Sequence, residues 1–543
     1  MSQKITKLML PFSIPAENRA EPFTEEMEKA VLYCFAEFER EKGGGLILRR
    51  AEEKTVFLTK FYYPFWFAPW KQLGLVFDGF KQSVHQLTYK AISNAREFFE
   101  NAQRSAKSLE TYTAFLSDHI NYFQTPGGEE TILIEGLISD FTLLNEFDGY
   151  LSEAKKVEST PPEVIMLSPL IDELTVSSAV EDIEKLRANF EADIRILQEG
   201  IKLLSKTTKS FAKEIRGKIR AVREEFEEAI RKEEEAASQK ISRINEEYNE
   251  QRVKLIKSLE KQRLPLQREK VKLEKMREQT LRKIEQYNIE AKACAAKKDA
   301  VGERKWKEKV NETKKELSEI EKKLGEIEEK VKEIEENESA ETFKLRSEWE
   351  SKIKEARKSL LELESSRDAK IQIHRQEMER LESLTASITQ QINNIVKLRE
   401  ADLANIMKLG IHQRQKSLSL VYVPFYMVCY EAEMKKRYVV FPPSIANSIG
   451  FAVKLKGALG KARIKQLLTP RFKAITLLLE GLPALIEKDA AFAREIHEFG
   501  EKVNMLVNSS GQKPITEGLK KLKNEGWLSD KEFEALSQRL TGV

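Results

Sequence analysis

The longest feature of the sequence is a highly charged stretch from Val180 to Gly410, in which apolar residues recur at helical spacing. In its most regular part the apolar residues lie alternately three and four positions apart, and most residues between them are Lys or Glu. They are Leu317, Ile320, Leu324, Ile327, Val331 and Ile334. This spacing predicts a coiled coil, because a helix this polar has one apolar stripe that needs a partner helix to cover it.

The apolar pattern lapses near the centre of this stretch. Residues 291–302 read Ala-Lys-Ala-Cys-Ala-Ala-Lys-Lys-Asp-Ala-Val-Gly, and small residues with a glycine suit a turn between helices. We therefore expect an antiparallel hairpin that turns near 296–302, with arms of about 110 residues, each ~165 Å long. One continuous helix that pairs with a second chain is the alternative. Pro265 is expected to kink the first arm or force a local bulge, because proline removes a helical hydrogen bond.

The flanking residues predict a small mixed α/β head, formed by residues 1–179 and the basic segment 411–511 together. The first part predicts a helix over 25–42, strands near 55–63 and 74–77, and helical segments over 84–123 and 137–156. The second part predicts strands over 417–430 and 437–441 and helices near 446–458, 462–467, 471–480 and 485–508. The predicted fold class is therefore mainly α, with the coiled-coil hairpin at 180–410 and a short helical hairpin at 515–543.

Two segments, one on each side of the coiled-coil stretch, share the pattern Tyr-x-Pro-Phe-aromatic-x-x-x-aromatic. The matching residues are Tyr62, Pro64, Phe65, Trp66 and Trp70 in the first segment, and Tyr422, Pro424, Phe425, Tyr426 and Tyr430 in the second. A short strand-like run follows each segment. We interpret them as duplicated β modules that the hairpin would bring together as a pseudo-twofold head. A proline inside each strand suggests an edge or bulge position.

The C-terminal residues 515–540 predict two short helices around Gly526. Ser529, with Glu532 three positions later, forms a capping box that marks the start of the second helix. The segment resembles the SHOCT short C-terminal domain, whose pattern is Leu-x-x-Leu, a glycine, two apolar residues, Ser or Thr, Glu-Phe and a closing leucine. The matching residues are Leu519, Leu522, Gly526, Trp527, Leu528, Ser529, Glu532, Phe533 and Leu540, whereas Leu536 and Ser537 replace the usual lysine pair.

The resemblance to SHOCT domains covers only this short segment and implies an assembly role without chemistry. Six apolar residues would carry that role: Leu519, Leu522, Trp527, Leu528, Phe533 and Leu540. The alternative is an ordinary helical hairpin that caps the head.

Composition narrows the class of protein. Charged residues make up 33% of the chain, but 92 Lys and Arg nearly balance 88 Asp and Glu, as interleaved charges on coiled coils do. Cys34, Cys294 and Cys429 lie far apart, so no disulfide framework or zinc site is predicted and a reducing, cytoplasmic compartment is expected. No signal peptide and no membrane span are predicted. The high Lys, Glu and Ile content is typical of thermophile proteins.

A search for catalytic motifs gives no candidate. Residues 457–462 contain a Gly-Lys pair, but the first glycine and the final Ser or Thr of a phosphate-binding loop are missing. A head with a long hairpin resembles the outline of SMC proteins, here without their ATP-binding motif. The five histidines are scattered, and Asp78-Gly79 is typical of a turn. We therefore expect no enzyme activity, catalytic residues, cofactor or metal.

The strongest charge feature lies in the second part of the head. Between Glu433 and Glu480 there is no acidic residue, but there are ten bases: Lys435, Lys436, Arg437, Lys454, Lys456, Lys461, Arg463, Lys465, Arg471 and Lys473. Such a segment favours a polyanion, either nucleic acid or an anionic membrane surface. The alternatives are an acidic protein partner, or pairing with acids of the first part of the head such as Glu129, Glu130 and Glu135.

Neighbouring aromatic residues bear on this choice. If the segment binds single-stranded nucleic acid, nucleobases would stack on four aromatic side chains: Tyr438, Phe441, Phe451 and Phe472. Alternatively they belong to the core of the head, and this is the interpretation we favour for Phe441 and Phe451.

The function that these patterns predict is structural. The protein would be a non-enzymatic spacer, scaffold or tether that self-assembles, or holds protein partners, through its head and tail. One alternative is a chromosome-associated protein that binds nucleic acid and is shaped like an SMC subunit without its motor. Another is an adaptor subunit of a separate ATPase.

Overall fold

The computed structural model describes residues 5–19, 22–43, 51–125, 127–158, 164–433, 435–449, 460–507 and 509–542. The chain divides into two compact units: Met1–Ser205 with Ala386–Val543, which we call the head, and Lys206–Thr385, which we call the helical unit. The described residues are mainly helical and include a mixed sheet, as the predicted fold class requires at this coarse level.

The helices are α1 (Glu25–Glu39), α2 (Ala95–Ser105), α3 (Leu109–Asp118), α4 (Phe141–Leu151), α5 (Glu173–Ala296), α6 (Ala300–Met407), α7 (Gly460–Leu467), α8 (Lys473–Glu480), α9 (Leu482–Lys488), α10 (Ala490–Lys502), α11 (Ser509–Asn524) and α12 (Asp530–Thr541). The strands are β1 (Thr6–Met9), β2 (Ser13–Pro15), β3 (Lys54–Trp70), β4 (Leu73–Asp78), β5 (Val84–Lys90), β6 (Glu129–Glu135), β7 (Lys155–Val157), β8 (Ile165–Met166), β9 (Gly410–His412), β10 (Ser419–Ala432), β11 (Lys435–Phe441), β12 (Ser444–Ala446) and β13 (Leu468–Pro470).

The helical unit consists of the C-terminal part of α5, the turn after it and the N-terminal part of α6, and the two helices pack against each other in antiparallel directions. Contacts between the two helices are Thr208 Oγ1 with Thr385 Oγ1 (2.7 Å), Lys370 Nζ with Glu225 Oε1 (3.1 Å), Trp349 Nε1 with Asn245 Oδ1 (2.8 Å), Lys270 Nζ with Glu328 Oε1 (2.8 Å) and Arg277 Nε with Glu321 Oε1 (3.1 Å). Ile320, Leu324 and Ile327, which belong to the regular apolar stripe of the sequence, are buried together with Leu273. Pro265 lies inside α5 without ending it.

The head is built on an eight-stranded mixed sheet. Its main order is β7-β1-β10-β3-β4-β9, with β11 also paired to β10 and β8 to β3. The central pair is β3 with β10, which run antiparallel from Phe67 opposite Ser419 to Lys54 opposite Glu431. Because β3 precedes the long helices and β10 follows them, this pair joins the two ends of the chain.

The two segments with the shared aromatic pattern are the strands that pair at the centre of the sheet. Tyr62 lies opposite Pro424, and Pro64 lies opposite Tyr422. Each strand forms an antiparallel pair with the strand that follows it, β3 with β4 and β10 with β11, and each has a parallel neighbour, β8 or β1. The arrangement around the central pair is therefore pseudo-twofold.

The two prolines do not lie at edges of the sheet, contrary to the expectation from the sequence, because both strands are central. Each proline lies where the outer neighbour of its strand changes. Pro64 separates the residues that pair with β8 from those that pair with β4, and Pro424 separates the β1 pairs from the β11 pairs. The proline nitrogen, which has no hydrogen, therefore meets a gap in the pairing and costs no ladder hydrogen bond.

Both faces of the sheet are buried, which explains why the central strands read as nearly continuous apolar runs. One face, with Phe61, Phe65 and Phe425, packs against α4 and α8–α10. The other face is shared by two helix groups. Tyr62 and Trp66 contact the first residues of α5 and the last of α6, and the β10 side of this face contacts α1, α7, α11 and α12.

Three element predictions were wrong or fall outside the described residues. The expected helix over 84–123 begins as strand β5, because Val84–Lys90 alternates between exposed and less exposed residues, and it becomes helical only at α2. The expected helix over 485–508 is divided between α9 and α10 at Asp489, whose side chain caps α10. Most of the expected helix at 446–458 lies outside the described residues, and Ser444–Ala446 is strand β12.

The C-terminal helical hairpin packs on the head of its own chain. The predicted capping box of Ser529 and Glu532 is present, and Gly526 has the positive φ of 87° that the turn needs. Helix α11 lies against α1 so closely that a Cβ atom added to Gly518 would stand 2.0 Å from the Glu26 carbonyl oxygen. The hairpin therefore completes the core of the head.

We expect Leu519→Ala to lower the free energy of unfolding of the head by about 2–5 kcal/mol, because it opens a cavity beneath a fully buried side chain. Urea unfolding followed by tryptophan fluorescence measures this loss. Leu477→Ala in α8 is the matched control, since Leu477 is 60% exposed and its loss should change the free energy by less than about 0.5 kcal/mol. Equal stability of the two variants would show that the hairpin does not belong to the core.

Candidate functional site

Acids of the same chain neutralise half of the described bases in the basic segment of the head. Lys454 and Lys456 lie outside the described residues. Four of the other eight bases form ion pairs: Arg437 with Glu53 (2.6 Å), Arg463 with Glu532 (3.2 Å), Lys465 with Glu39 (2.6 Å) and Arg471 with Glu153. Hydrogen bonds from Arg437 and Lys465 hold the pKa of Glu53 and Glu39 below the usual range.

The acids that neutralise the segment are not the ones that the sequence suggested. Glu135, one of the three expected partners, pairs with Lys81 (2.8 Å). Lys461 donates to the carbonyl oxygen of Phe38 (2.7 Å) instead of to an acid. Among the eight described bases of the basic segment, four are exposed and form no ion pair: Lys435, Lys436, Lys461 and Lys473.

The aromatic residues beside these bases serve the head internally. Tyr438, Phe441 and Phe472 pack against its core clusters, and Phe451 lies outside the described residues. Phe472 also stacks near Tyr150 with the Arg471 guanidinium over both rings. The three described rings do not form an open surface on which nucleobases would stack. The geometry therefore favours the interpretation in which the basic segment pairs with acidic residues of its own chain.

The aromatic residues of the shared pattern are buried, and equivalent positions make equivalent contacts. Trp66 and Trp70 donate hydrogen bonds to the Ile171 carbonyl oxygen (2.9 Å) and the Glu184 carboxylate (3.0 Å), at the start of α5. The matching Tyr426 and Tyr430 donate to the Glu28 carboxylate (2.7 Å) and to a backbone carbonyl oxygen, both in α1. Each copy of the pattern thus anchors one helix on the same face of the sheet.

The six residues expected to carry assembly are held in the head. Leu519, Leu522, Trp527, Leu528 and Leu540 are at most 3% exposed, and Phe533 is partly buried beside them. Their neighbours include Met27 and Ala30 of α1. These side chains are therefore not available to another molecule, which corrects the expectation of a tail assembly surface and agrees with the alternative of a hairpin that caps the head.

A buried polar cluster that the sequence analysis missed lies between α1 and the sheet. The Glu28 carboxylate accepts hydrogen bonds from Lys60 Nζ (2.9 Å), Tyr426 Oη (2.7 Å) and Ser13 Oγ (2.5 Å). Burial acts to lower the pKa of Lys60, but the Glu28 carboxylate together with Tyr62 and Glu25 outweighs it, so this pKa is raised. The cluster ties β2, β3, β10 and α1 together. Only the tertiary structure reveals it, because its members are far apart in sequence.

A second buried carboxylate belongs to Asp78, at the end of β4. It accepts hydrogen bonds from Tyr63 Oη (2.5 Å) and from the backbone N–H groups of Phe80 (3.0 Å) and Ser83 (3.1 Å). Burial raises the pKa of the Asp78 carboxyl, although these hydrogen bonds oppose the shift. The side chain organises the turn after β4, as the Asp-Gly pair in the sequence suggested.

Where α5 and α6 enter the head, they are joined by Arg399, which is 2% exposed. Its guanidinium binds Asp193 (3.0 Å) and Asp402 (3.0 Å) and lies over the ring of Phe190. A cavity of about 260 Å³ next to it is lined by residues of β5 and of both helices. A buried ion pair of this kind fixes the relation of the two helix ends inside the head.

The helical unit has an open groove of about 830 Å³ between α5 and α6. Four arginines line it, Arg223, Arg231, Arg367 and Arg375, together with Glu227, Glu234 and Asp368. Arg367 pairs with Asp368 at 2.8 Å. Since the acids nearly balance the arginines, the groove is a mixed-charge surface.

Among the described residues, no group of three or more His, Cys, Asp and Glu side chains is placed to hold a metal ion. No helix in that part of the chain has the length and apolar character needed to cross a membrane.

We expect Arg471→Met to lower the free energy of unfolding of the head by about 1–3 kcal/mol, because it breaks a charged hydrogen-bonded pair that is mostly buried. Lys473→Met, two residues away and exposed, should change it by less than about 0.5 kcal/mol. Urea unfolding of both variants makes the comparison. If the two variants are equally stable, the bases of this segment do not stabilise the head.

The Glu28 cluster predicts non-additive effects. Lys60→Met should cost about 3 kcal/mol, because it leaves a buried carboxylate without its cation, and the double variant Lys60→Met/Glu28→Gln should recover part of this loss. A double-mutant cycle measured by urea unfolding tests the coupling. Additive losses would mean that the two residues act independently.

Comparison with known proteins adds little to this description. No protein-family model and no curated protein matches the chain. A solved structure described as a computationally designed three-helix bundle matches 44% of this chain and 99% of its own, with 18% identity and a TM-score of 0.13, which supports no conclusion. The resemblances to the SHOCT domain and to the SMC outline therefore stay predictions.

Proposed function

We propose that the protein is a non-enzymatic coiled-coil scaffold, in which one chain supplies both helices of the coil and tethers partners through surfaces of the head and of the helical hairpin. A cytoplasmic location, which cysteine usage predicts, is part of the same proposal. The observation that carries it is the series of contacts between α5 and α6. As residue numbers rise along α5, their partners fall along α6, from Thr208 with Thr385 to Tyr287 with Trp306.

Polar contacts along this series support a defined register. The hydroxyl groups of Thr208 and Thr385 are 2.7 Å apart, and the Trp349 indole donates to the Asn245 side chain at 2.8 Å. A buried polar residue in a coiled coil disfavours other registers, because a shift leaves its hydrogen-bonding group without a partner. A scaffold of fixed geometry needs such a register.

Contacts inside the head limit which of its surfaces the proposal can use. The C-terminal hairpin and half of the described bases contact the head itself, so self-assembly through the tail side chains is not part of the proposal. For the same reason no specific observation favours nucleic-acid binding by the basic segment. No observation favours an adaptor role towards an ATPase either.

The test is a crosslink within one chain. In a Cys294→Ser background, where Cys34 and Cys429 are buried, Thr208→Cys/Thr385→Cys should oxidise to a disulfide that forms inside the monomer. Non-reducing electrophoresis and mass spectrometry identify the product. Thr208→Cys/Ser383→Cys is the matched control, since Ser383 is exposed and should crosslink poorly.

A crosslink found only between chains would contradict the proposal. It would mean that the two helices pair with those of a second molecule. Equal crosslinking of the Thr385 and Ser383 variants would show that the helices have no fixed register.

A further inference from the structure

The turn that joins α5 to α6 is formed by short-range backbone hydrogen bonds and by one residue in the left-handed conformation. The N–H group of Lys298 donates to the Ala295 carbonyl oxygen (3.1 Å), that of Asp299 donates to Cys294 (3.1 Å), and Lys298 has a φ of 59°. The Asp299 side chain then accepts from the N–H group of Gly302 (3.0 Å) and so begins α6. The turn therefore has a defined backbone geometry, with Asp299 as the cap of α6.

The surface from Lys292 to Lys305, which we call the turn surface, carries an excess of positive charge. Five bases lie in it, Lys292, Lys297, Lys298, Arg304 and Lys305, against two acids, and all five are exposed. Both acids are engaged locally, because Asp299 caps α6 and Glu303 pairs with Lys307. None of the four lysines has a side-chain ion pair within this described part of the chain, and Arg304 pairs loosely with Glu308 at 3.6 Å.

The turn surface also carries exposed apolar side chains, beside the charged turn residues Lys297, Lys298 and Asp299. Val301 is 82% exposed, the highest exposure among the large apolar residues described. Four exposed alanines lie near it in sequence: Ala293, Ala295, Ala296 and Ala300. Exposed apolar side chains and exposed lysines therefore lie together on the turn surface.

We propose that the turn surface binds an anionic phospholipid membrane, with Val301 and the alanines entering the headgroup region and the lysines contacting lipid phosphates. This inference rests on the proposed scaffold function and names one partner of the hairpin. Clustered Lys and Arg side chains are attracted to anionic lipid surfaces. Transfer of a small apolar side chain from water into the interface is also favourable.

Nucleic acid would attract the same lysines, but two features favour a membrane. A phosphate backbone offers no apolar contact to Val301 and the alanines. The aromatic residue that would stack on a base, Trp306, is packed against Tyr287 with Lys309 over its ring at 4.4 Å. The ring is therefore already occupied within the hairpin.

The experiment is co-sedimentation of the full-length protein with phosphatidylserine/phosphatidylcholine vesicles and with pure phosphatidylcholine vesicles, across a salt series. The expected result is binding to the anionic vesicles that weakens as salt rises. Replacing Lys292, Lys297, Lys298 and Lys305 by Glu should lower binding at least about tenfold. The matched control replaces Arg252, Lys257, Lys261 and Lys344, four exposed bases elsewhere on the hairpin, and should bind as the wild type does.

A second pair of variants tests the apolar contribution of Val301. Val301→Glu should weaken binding to anionic vesicles, whereas Val253→Glu, at a valine that is 48% exposed on α5, should not change it beyond the effect of one charge. Circular dichroism checks that both variants stay helical.

Several results would overturn the proposal. They are absence of wild-type binding to anionic vesicles, equal loss in the lysine variant and its control, equal effects at Val301 and Val253, or binding of duplex DNA through the lysines without vesicle binding. The crosslinking test of the hairpin does not involve lipid. A failure of membrane binding is therefore distinguishable from a failure of the scaffold itself.

Discussion

The antiparallel pairing of β3 with β10 is the interaction on which the head depends. These strands lie on opposite sides of the long helices in sequence, so their pairing closes a loop that contains both helices. Closing a loop of this length has a large entropic cost, although the cost grows only slowly with length. The long register and the burial of both faces of the sheet offset that cost through apolar area removed from water.

The aromatic pattern shows how one sequence device serves two places. In β3 its indole groups hold the start of α5, and in β10 its hydroxyl groups hold α1. In both strands the ring covers the face of the sheet, while its polar atom donates a hydrogen bond to an acceptor in or next to a helix. The prolines of the pattern lie where outer pairing is interrupted, so the same interruption appears twice in the sheet.

Which charged side chains stay unpaired depends on their neighbours in the folded structure and not on their neighbours in the sequence. The basic segment looks like an exposed patch when read along the sequence, yet its partners Glu39, Glu53, Glu153 and Glu532 come from four other parts of the chain. At the hairpin turn the reverse holds, because the acids nearest in sequence are engaged by a helix cap and a neighbouring lysine. A local excess of one sign therefore identifies a binding surface only after the partners are known.

The sequence by itself determined the elements whose cause is local. The regular apolar stripe indicated two long polar helices, the small residues near 296–302 indicated their interruption, and Ser529 with Glu532 indicated the capped final helix. The repeated aromatic pattern indicated two related strands, but their central place in the sheet was not predicted. The alternation in Val84–Lys90 was a strand signal that the surrounding helical pattern obscured. The tertiary structure alone decided where the C-terminal hairpin packs, which acids neutralise the bases and where the buried Glu28 cluster forms. These three features depend on contacts between residues hundreds of positions apart. The spacing of residues along the sequence does not predict such contacts.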